Sequence, residues 1–332
     1  MTITQLQYVL AVAEYKNFTL AAEKSFVTQP TLSMQVQKLE DELDLQIFDR
    51  STKPITITEA GAKIIDQARN IVQEAARIHD IVDQEKGFIG GTYKLGVIPT
   101  VMPTLLPMFL KTFTARYPKV QLIIREQSTE ELIENLMEGH LDAGIAATPL
   151  DNENLLERPL YYEPFVAYVP KNHRLNKAKA IHPEDLDLED ILLLQDGHCF
   201  RDGVINLCKA PKRRDNENFQ LDSGSFETLI KLSDEGLGMT LLPYLHALDL
   251  DETRKQQVRY FQDPPPAREV SLIYHKKELK YQITEVLKEV ITAVVRGAIT
   301  FQDVQLISPT PNISRTIKKN PPPKAGEEHH DN

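Results

Sequence analysis

Cysteine is scarce: the 332 residues hold two, Cys199 and Cys208, so no disulfide-stapled scaffold is expected. A CxxC pair is absent, and one His-Cys step with a second cysteine nine residues on is not a zinc spacing, so neither metal nor cofactor is expected. No run of about 18 apolar residues occurs, which excludes a membrane helix. The start, MTITQLQYVL, lacks a basic segment followed by an apolar block, and the expected address is cytoplasmic. A disulfide in that reducing compartment would be transient. Positive charge is also short. Lys plus Arg number 38 against 48 Asp plus Glu, a formal charge of −10, which argues against wholesale coating of nucleic acid but leaves room for a small reading head. What is present is a hydrophobic share of 41%, enough for a sizeable core, in a length that suits two or three domains.

Residues 1–58 carry the pattern of such a head. Leu6, Val9, Leu10 and Ala13 fall on one helical face. Thr19 is expected to cap a second helix whose small Ala21 and Ala22 allow a close crossing. Thr28 then caps a third, with Pro30 in its first turn. Leu32, Val36, Leu39 and Leu43 line its buried side, and Gln29, Thr31, Ser33, Gln35 and Lys38 its outer side. Such short or amide side chains suit base edges and phosphates. Two helices joined by a tight turn, the second capped and polar outside, predict a helix-turn-helix. The alternating Ile55 to Thr58 predicts a β-wing, with Arg50 and Lys53 placed for phosphate or minor-groove contact. The same geometry also serves as plain packing, and five basic residues here face seven acidic ones.

Residues 59–91 read as a linker: a helix from Glu59 to about Lys86, then a hinge at Gly87, Gly90 and Gly91. Ile64, Ile65, Ala68, Ile71, Val72, Ala75, Ile78 and Val82 form one apolar stripe on a rod of about 40 Å. A second copy of the chain is its natural cover.

Residues 92–302 predict an α/β sensor of two lobes, lobe I spanning about 92–162 and 268–302 and lobe II about 163–267. The first stretch reads βαβαβ, hence a parallel sheet. Thr100 and Thr129 fall just past the carboxyl ends of strands, where open α/β sheets bind ligands. The chain crosses to the second lobe near Phe165 and returns over Val270–Tyr274, which describes a periplasmic-binding-protein-like cleft. Residues 303–332 are polar, with Pro321–Pro323 and a charged end, and read as a disordered tail.

Both cysteines lie in one stretch, ILLLQDGHCFRDGVINLC. Asp196 and Gly197 make a turn, and Phe200, Val204, Leu207 and Cys208 then follow helical spacing. In a helix the two sulfurs stand about 13 Å apart, whereas a disulfide needs Cα atoms within about 7 Å. Bridging therefore requires the helix to melt. A helix N-terminus favours a thiolate at Cys199; His198 and Arg201 could add positive charge or donors, and Asp202 could shuttle a proton or pair with Arg201. The alternative is two reduced, partly buried structural cysteines.

The stretch NFTLAAEKSFVTQPTLSMQVQKLEDELDLQIFDR, followed by ITITEAGAKI, resembles the winged helix-turn-helix of LysR-type transcriptional regulators. LGVIPTV at Leu95–Val101, DGHCFRDGVINLC at Asp196–Cys208 and GLGMTLLP at Gly236–Pro243 resemble the peroxide-sensing branch of that family. The resemblance covers about residues 1–302. Phe200 stands where leucine is more usual, a departure not expected to touch the chemistry. The resemblance implies that Gln29, Pro30, Thr31, Ser33 and Arg50 face double-stranded promoter DNA. It further implies that Thr100, Thr129, His198, Arg201 and Asp202 surround hydrogen peroxide at Cys199, and that Cys199 and Cys208 form a reversible disulfide reset by cellular dithiols. A homodimer or homotetramer working with RNA polymerase follows from the same source. A LysR-type regulator answering a small organic effector is the rival; a thiol peroxidase is disfavoured by the N-terminal head and the missing CxxC.

Overall fold

The computed structural model describes residues 1–52, 54–85, 88–208, 221, 223–278, 280–299, 303–309 and 314–318. They fall into two units, Met1–Phe88 and the chain from Ile89 onward.

In the first unit, α1 (Ile3–Tyr15) starts with a capping box between Thr2 and Gln5. Helix α2 (Phe18–Lys24) is capped by Asn17, whose Oδ1 accepts from the amides of Thr19 and Leu20 at 2.8 and 3.1 Å. Thr19, expected as the cap, is thus inside the helix, because the asparagine two residues earlier reaches both free amides. Ala21 and Ala22 are buried, as a close crossing requires. Helix α3 (Gln29–Leu43) starts at its Thr28 cap and buries Leu32, Val36 and Leu39, while Leu43 is exposed rather than buried. Strands β1 (Phe48–Asp49) and β2 (Thr56–Ile57) pair antiparallel as a short wing. Helix α4 (Glu59–Glu85) begins where the Thr58 hydroxyl accepts from Gly61 N–H at 2.8 Å. A Cβ on Gly61 would collide with the Ile47 backbone, so glycine permits that approach. Ile65 and Ala68 complete the head's core, whereas Ile78, Ile81 and Val82 are exposed.

The second unit begins with β3 (Gly91–Val97), α5 (Met102–Arg116), β4 (Val120–Glu126), α6 (Thr129–Met137) and β5 (Ala143–Thr148). Strand β3 pairs in parallel with both β4 and β5, the arrangement that βαβαβ dictates. The long β6 (Leu155–Tyr168) then leads out; α7 (Cys199–Cys208), α8 (Phe226–Asp234), β7 (Thr240–Pro243), α9 (Tyr244–Leu248), α10 (Glu252–Lys255) and β8 (Val258–Tyr260) follow. Strand β9 (Pro266–His275) brings the chain back, and α11 (Tyr281–Arg296) covers the first sheet. Strand β6 pairs with β9 over Leu155–Pro164 and with β7 and β8 over Phe165–Tyr168. β6 and β9 are therefore the crossing strands between two separate cores.

The reading of 303–332 as disordered needs correction. Strand β10 (Asp303–Ile307) adds to β9 in parallel and pairs antiparallel with β11 (Ser314–Lys318). Val304 and Ile307 are buried. The polar end dominated the compositional reading, and the short apolar run VQLI is what a sheet edge needs. Residues 319–332 lie outside the described residues, as do Lys86 and Gly87 of the expected linker end.

Candidate functional site

The cysteine helix is set by local chemistry. The buried run Ile191–Leu194 ends at a turn where Gly197 has φ +87, the left-handed region that glycine tolerates. Helix α7 starts at Cys199, with the His198 carbonyl accepting from Arg201 N–H at 2.9 Å. Both cysteines are free. They bracket a ten-residue helix, so their Cα atoms stand about 13 Å apart and no bridge forms while α7 is wound.

The surroundings of Cys199 come from four elements. Thr129 and the Ala147 backbone lie beside its sulfur and favour the thiolate, and Arg268 supplies the nearby positive charge. Ser128 caps α6, accepting from Glu131 N–H at 3.2 Å, which leaves the Thr129 hydroxyl for the sulfur. Arg268 on β9 is 2% exposed and its partner Glu163 on β6 is 1% exposed. Arg268 Nη2 and Nε reach Glu163 Oε2 at 2.7 and 3.0 Å, and Glu163 Oε1 accepts from Leu245 N–H at 3.0 Å. Arg268 Nη1 donates to the Thr100 hydroxyl at 2.8 Å and Nη2 to the Thr100 carbonyl at 3.0 Å. Thr100 is therefore bonded to the arginine whose charge acts on Cys199, and Thr129 lies beside the sulfur itself.

Burial nevertheless pushes the Cys199 thiol up; Arg268, Thr129 and Ala147 oppose this without overcoming it, and Asp202 adds to it. Desolvation thus works against the thiolate that a helix terminus favours. For His198 burial lowers the pKa, against a partial opposing pull from Glu126, which favours its reading as a hydrogen-bond donor over that as a cation. Its ring lies against Gly224, where a Cβ would come within 2.9 Å of Nε2. Arg201 pairs with the exposed Asp196, and Asp202 lies on the exposed side of α7. Cys208 is buried in the second core, its thiol pushed up to about 12 by desolvation and then by Asp187.

Sequence reasoning missed Glu163 and Arg268. The signal was a lone carboxylate in PLYYEPFVAYV and a lone guanidinium in AREVSLIY, two apolar strands that cannot bury such charges unpaired. It also undervalued Phe200, whose ring centroid lies 5.1 Å from the Arg268 guanidinium carbon, so the departure from leucine touches the network after all.

On the head, Gln29, Pro30, Thr31 and Lys38 are exposed along α3. Ser33 accepts from Arg50 at 3.4 Å, and Gln35 accepts from Gln5 at 3.3 Å. Arg50, expected at phosphate or the minor groove, is half-buried: Nη2 binds buried Glu40 at 2.7 Å, and the guanidinium lies 4.8 Å from the Phe18 ring centroid. Glu40 also accepts from the amides of Ile47 and Phe48 at 2.8 and 3.1 Å, tying the wing to α3. Lys53 lies outside the described residues. Phe26, which pattern reading passed over, stands 96% exposed at φ +55 in the turn before α3.

Residues 3–62 match the family described as bacterial regulatory helix-turn-helix protein, lysR family, and residues 86–295 match the LysR substrate binding domain. The chain is 34% identical to the DNA-binding transcriptional dual regulator OxyR of Escherichia coli K12, over 90% of this chain and 97% of that one. It is 33% identical to the hydrogen peroxide-inducible genes activator of Haemophilus influenzae, over 82% and 90%. Among solved structures, full-length OxyR of Pseudomonas aeruginosa, in a cysteine-to-aspartate variant, has a TM-score of 0.71 at 34% identity, covering 88% of this chain and 94% of that one. A hydrogen peroxide-bound cysteine-to-serine variant of Corynebacterium glutamicum OxyR has a TM-score of 0.61 at 28% identity, covering 90% and 93%.

Proposed function

Because the chain belongs to the LysR family of bacterial helix-turn-helix regulators, we propose that it is a DNA-binding activator of oxidative-stress genes that senses hydrogen peroxide through a reversible Cys199–Cys208 disulfide. The observation that carries the reading is the pair of free cysteines at the two ends of one helix, the first beside Thr129 and near the buried Arg268, which is bonded to Glu163 and Thr100.

Thr100 and Thr129 hold the two peroxide oxygens, with His198 a neutral hydrogen-bonding neighbour. The small thiolate fraction of Cys199 attacks one oxygen; the S–O bond forms, the O–O bond breaks and hydroxide leaves. Arg268 stabilises the charge at both ends of that displacement. Asp202, at the start of α7, relays the proton released by the Cys199 thiol to the leaving hydroxide, giving water, and Arg201 beside it contributes a fixed positive charge. Cys199 is oxidised by two electrons to a sulfenic acid. The Cys208 sulfur then displaces its hydroxyl, giving the disulfide and a second water. That step requires α7 to unwind, and the unwound segment carries the signal. A cellular dithiol restores both thiols by exchange. The protein is a stoichiometric sensor rather than an enzyme.

Gln29, Pro30, Thr31, Ser33, Gln35 and Lys38 face promoter DNA in the major groove, with Arg50 and Lys53 at the backbone. The exposed Ile78, Ile81 and Val82 support a second copy of the chain along α4, and a homotetramer spans an extended site next to RNA polymerase. Among the described residues no helix is long and apolar enough to cross a membrane, which fits a cytoplasmic regulator.

Promoter footprinting of wild type and Cys199→Ser, reduced and oxidised, tests the reading. The wild-type footprint should change on oxidation and the variant's should not. An unchanged wild-type footprint, with both thiols unlinked after one equivalent of peroxide, would point instead to a small organic effector.

A further inference from the structure

The C-terminal strand touches the element that oxidation must dismantle. Strand β10 is fixed at its start: Gln305 N–H donates to the Pro265 carbonyl at 2.9 Å, and Gln305 and Leu306 stand in register with Pro266 and Ala267 of β9. These β9 residues immediately precede Arg268, so the anchor lies on the strand that holds the buried ion pair. At its other end the segment meets α7. Asn206 Nδ2 donates to the carbonyls of Ser308 and Pro309 at 3.0 and 3.2 Å. Ile307 is buried in the same core as Leu207 and Cys208. Asn206 sits in the last turn of α7, two residues before the second cysteine. The matched family region ends at residue 295, so this contact lies beyond it.

We propose that β10 is a latch on α7, holding the cysteine helix wound and so setting how much oxidation is needed before the disulfide forms. The proposal rests on the reading of Cys199 and Cys208 as a reversible pair. Oxidation of Cys199 to the sulfenic acid needs no movement of α7 and is untouched by the latch. Condensation with Cys208, which releases water, needs α7 unwound. Unwinding breaks both Asn206 bonds, leaves two carbonyls at 308 and 309 without that donor, and opens the core around Ile307. The latch therefore slows the second step and favours the dithiol form at equilibrium.

Asn206→Ala in the full-length chain separates this from a plain helical role. Alanine is the better helix former, so if Asn206 served only the helix, the variant would unwind less readily and bridge more slowly. The latch predicts the opposite sign. After one equivalent of hydrogen peroxide, loss of the Cys199 thiol should match wild type. Disulfide formation, followed by mobility after thiol alkylation, should be about 3–10-fold faster. In a dithiothreitol redox buffer the equilibrium should move by a similar factor toward the disulfide. An equal or slower rate with an unmoved equilibrium overturns the latch. Wild type that loses the Cys199 thiol without bridging overturns the disulfide reading itself, and the latch with it. A chain ended after Gln302 should behave like Asn206→Ala and show no added effect of that substitution; should this shortened chain fail to fold, as judged by circular dichroism, Asn206→Ala alone decides.

Discussion

Each unit is built round a glutamate–arginine pair, and the two pairs do different work. In the head, Glu40 is 3% exposed while Arg50 is 36% exposed, and the pair is made at 2.7 Å. The carboxylate pins the wing to α3, and the guanidinium keeps an edge toward solvent where a phosphate can join it. In the sensor both members are buried, at 3% and 1% side-chain exposure, and again 2.7 Å apart. There the pair joins the crossing strands β6 and β9, and the guanidinium can serve only internal partners: Thr100, the Phe200 ring and the field at Cys199. The difference lies in how much of each arginine water can reach: Arg50 keeps an exposed edge open to an outside partner, and Arg268 has none.

Breaking the buried pair should have the largest effect. Arg268→Ala strands Glu163 in the interior and is expected to lower unfolding stability by about 3–5 kcal/mol in urea denaturation. It should also drive the Cys199 thiol further up and suppress its oxidation. If stability and peroxide reactivity both survive, the contrast between the two pairs is void. The pH profile sharpens the same point. Because the Cys199 thiol is raised above its ordinary value, oxidation should follow the thiolate fraction, climbing about ten-fold per pH unit from neutrality. A plateau already below pH 8 in stopped-flow measurements would mean that Arg268 outweighs burial. Next in size, Thr129→Val removes the hydroxyl beside the sulfur and should slow peroxide oxidation by about ten-fold. Its DNA affinity in the reduced state should be unchanged. The smallest stability effect belongs to the head: Arg50→Ala should lower stability by about 1 kcal/mol, since Glu40 keeps its two amide donors. DNA affinity should fall, and its salt dependence should flatten by about one phosphate contact in binding titrations. A loss as large as that of Arg268→Ala would erase the distinction.

The helix-turn-helix was legible because its determinants are neighbours in sequence. The Thr28 cap, Pro30 in the first turn, and the Leu32, Val36, Leu39 stripe are read within fifteen residues. The error at α2 was of the same local kind, an asparagine cap passed over for a threonine two residues later. Other features had no local signature. Glu163 and Arg268 stand 105 residues apart and meet only because β6 and β9 pair. The Phe200 ring is an ordinary core residue until β9 places a guanidinium beside it. The protonation of Cys199 followed the same rule. The helix terminus is visible in sequence, but the desolvation that raises the thiol is a property of the packed lobes.

Periodicity, caps and turn residues alone determined the recognition helix, the wing, the parallel βαβαβ start and a helix running from one cysteine to the other, since each depends on hydrogen bonds and side-chain spacing a few residues long. Tertiary structure decided which charge serves the sulfur, that burial keeps it protonated, and that residues 303–309 brace α7. These depend on which distant strands pair and how much water they exclude, quantities that no local window of residues contains.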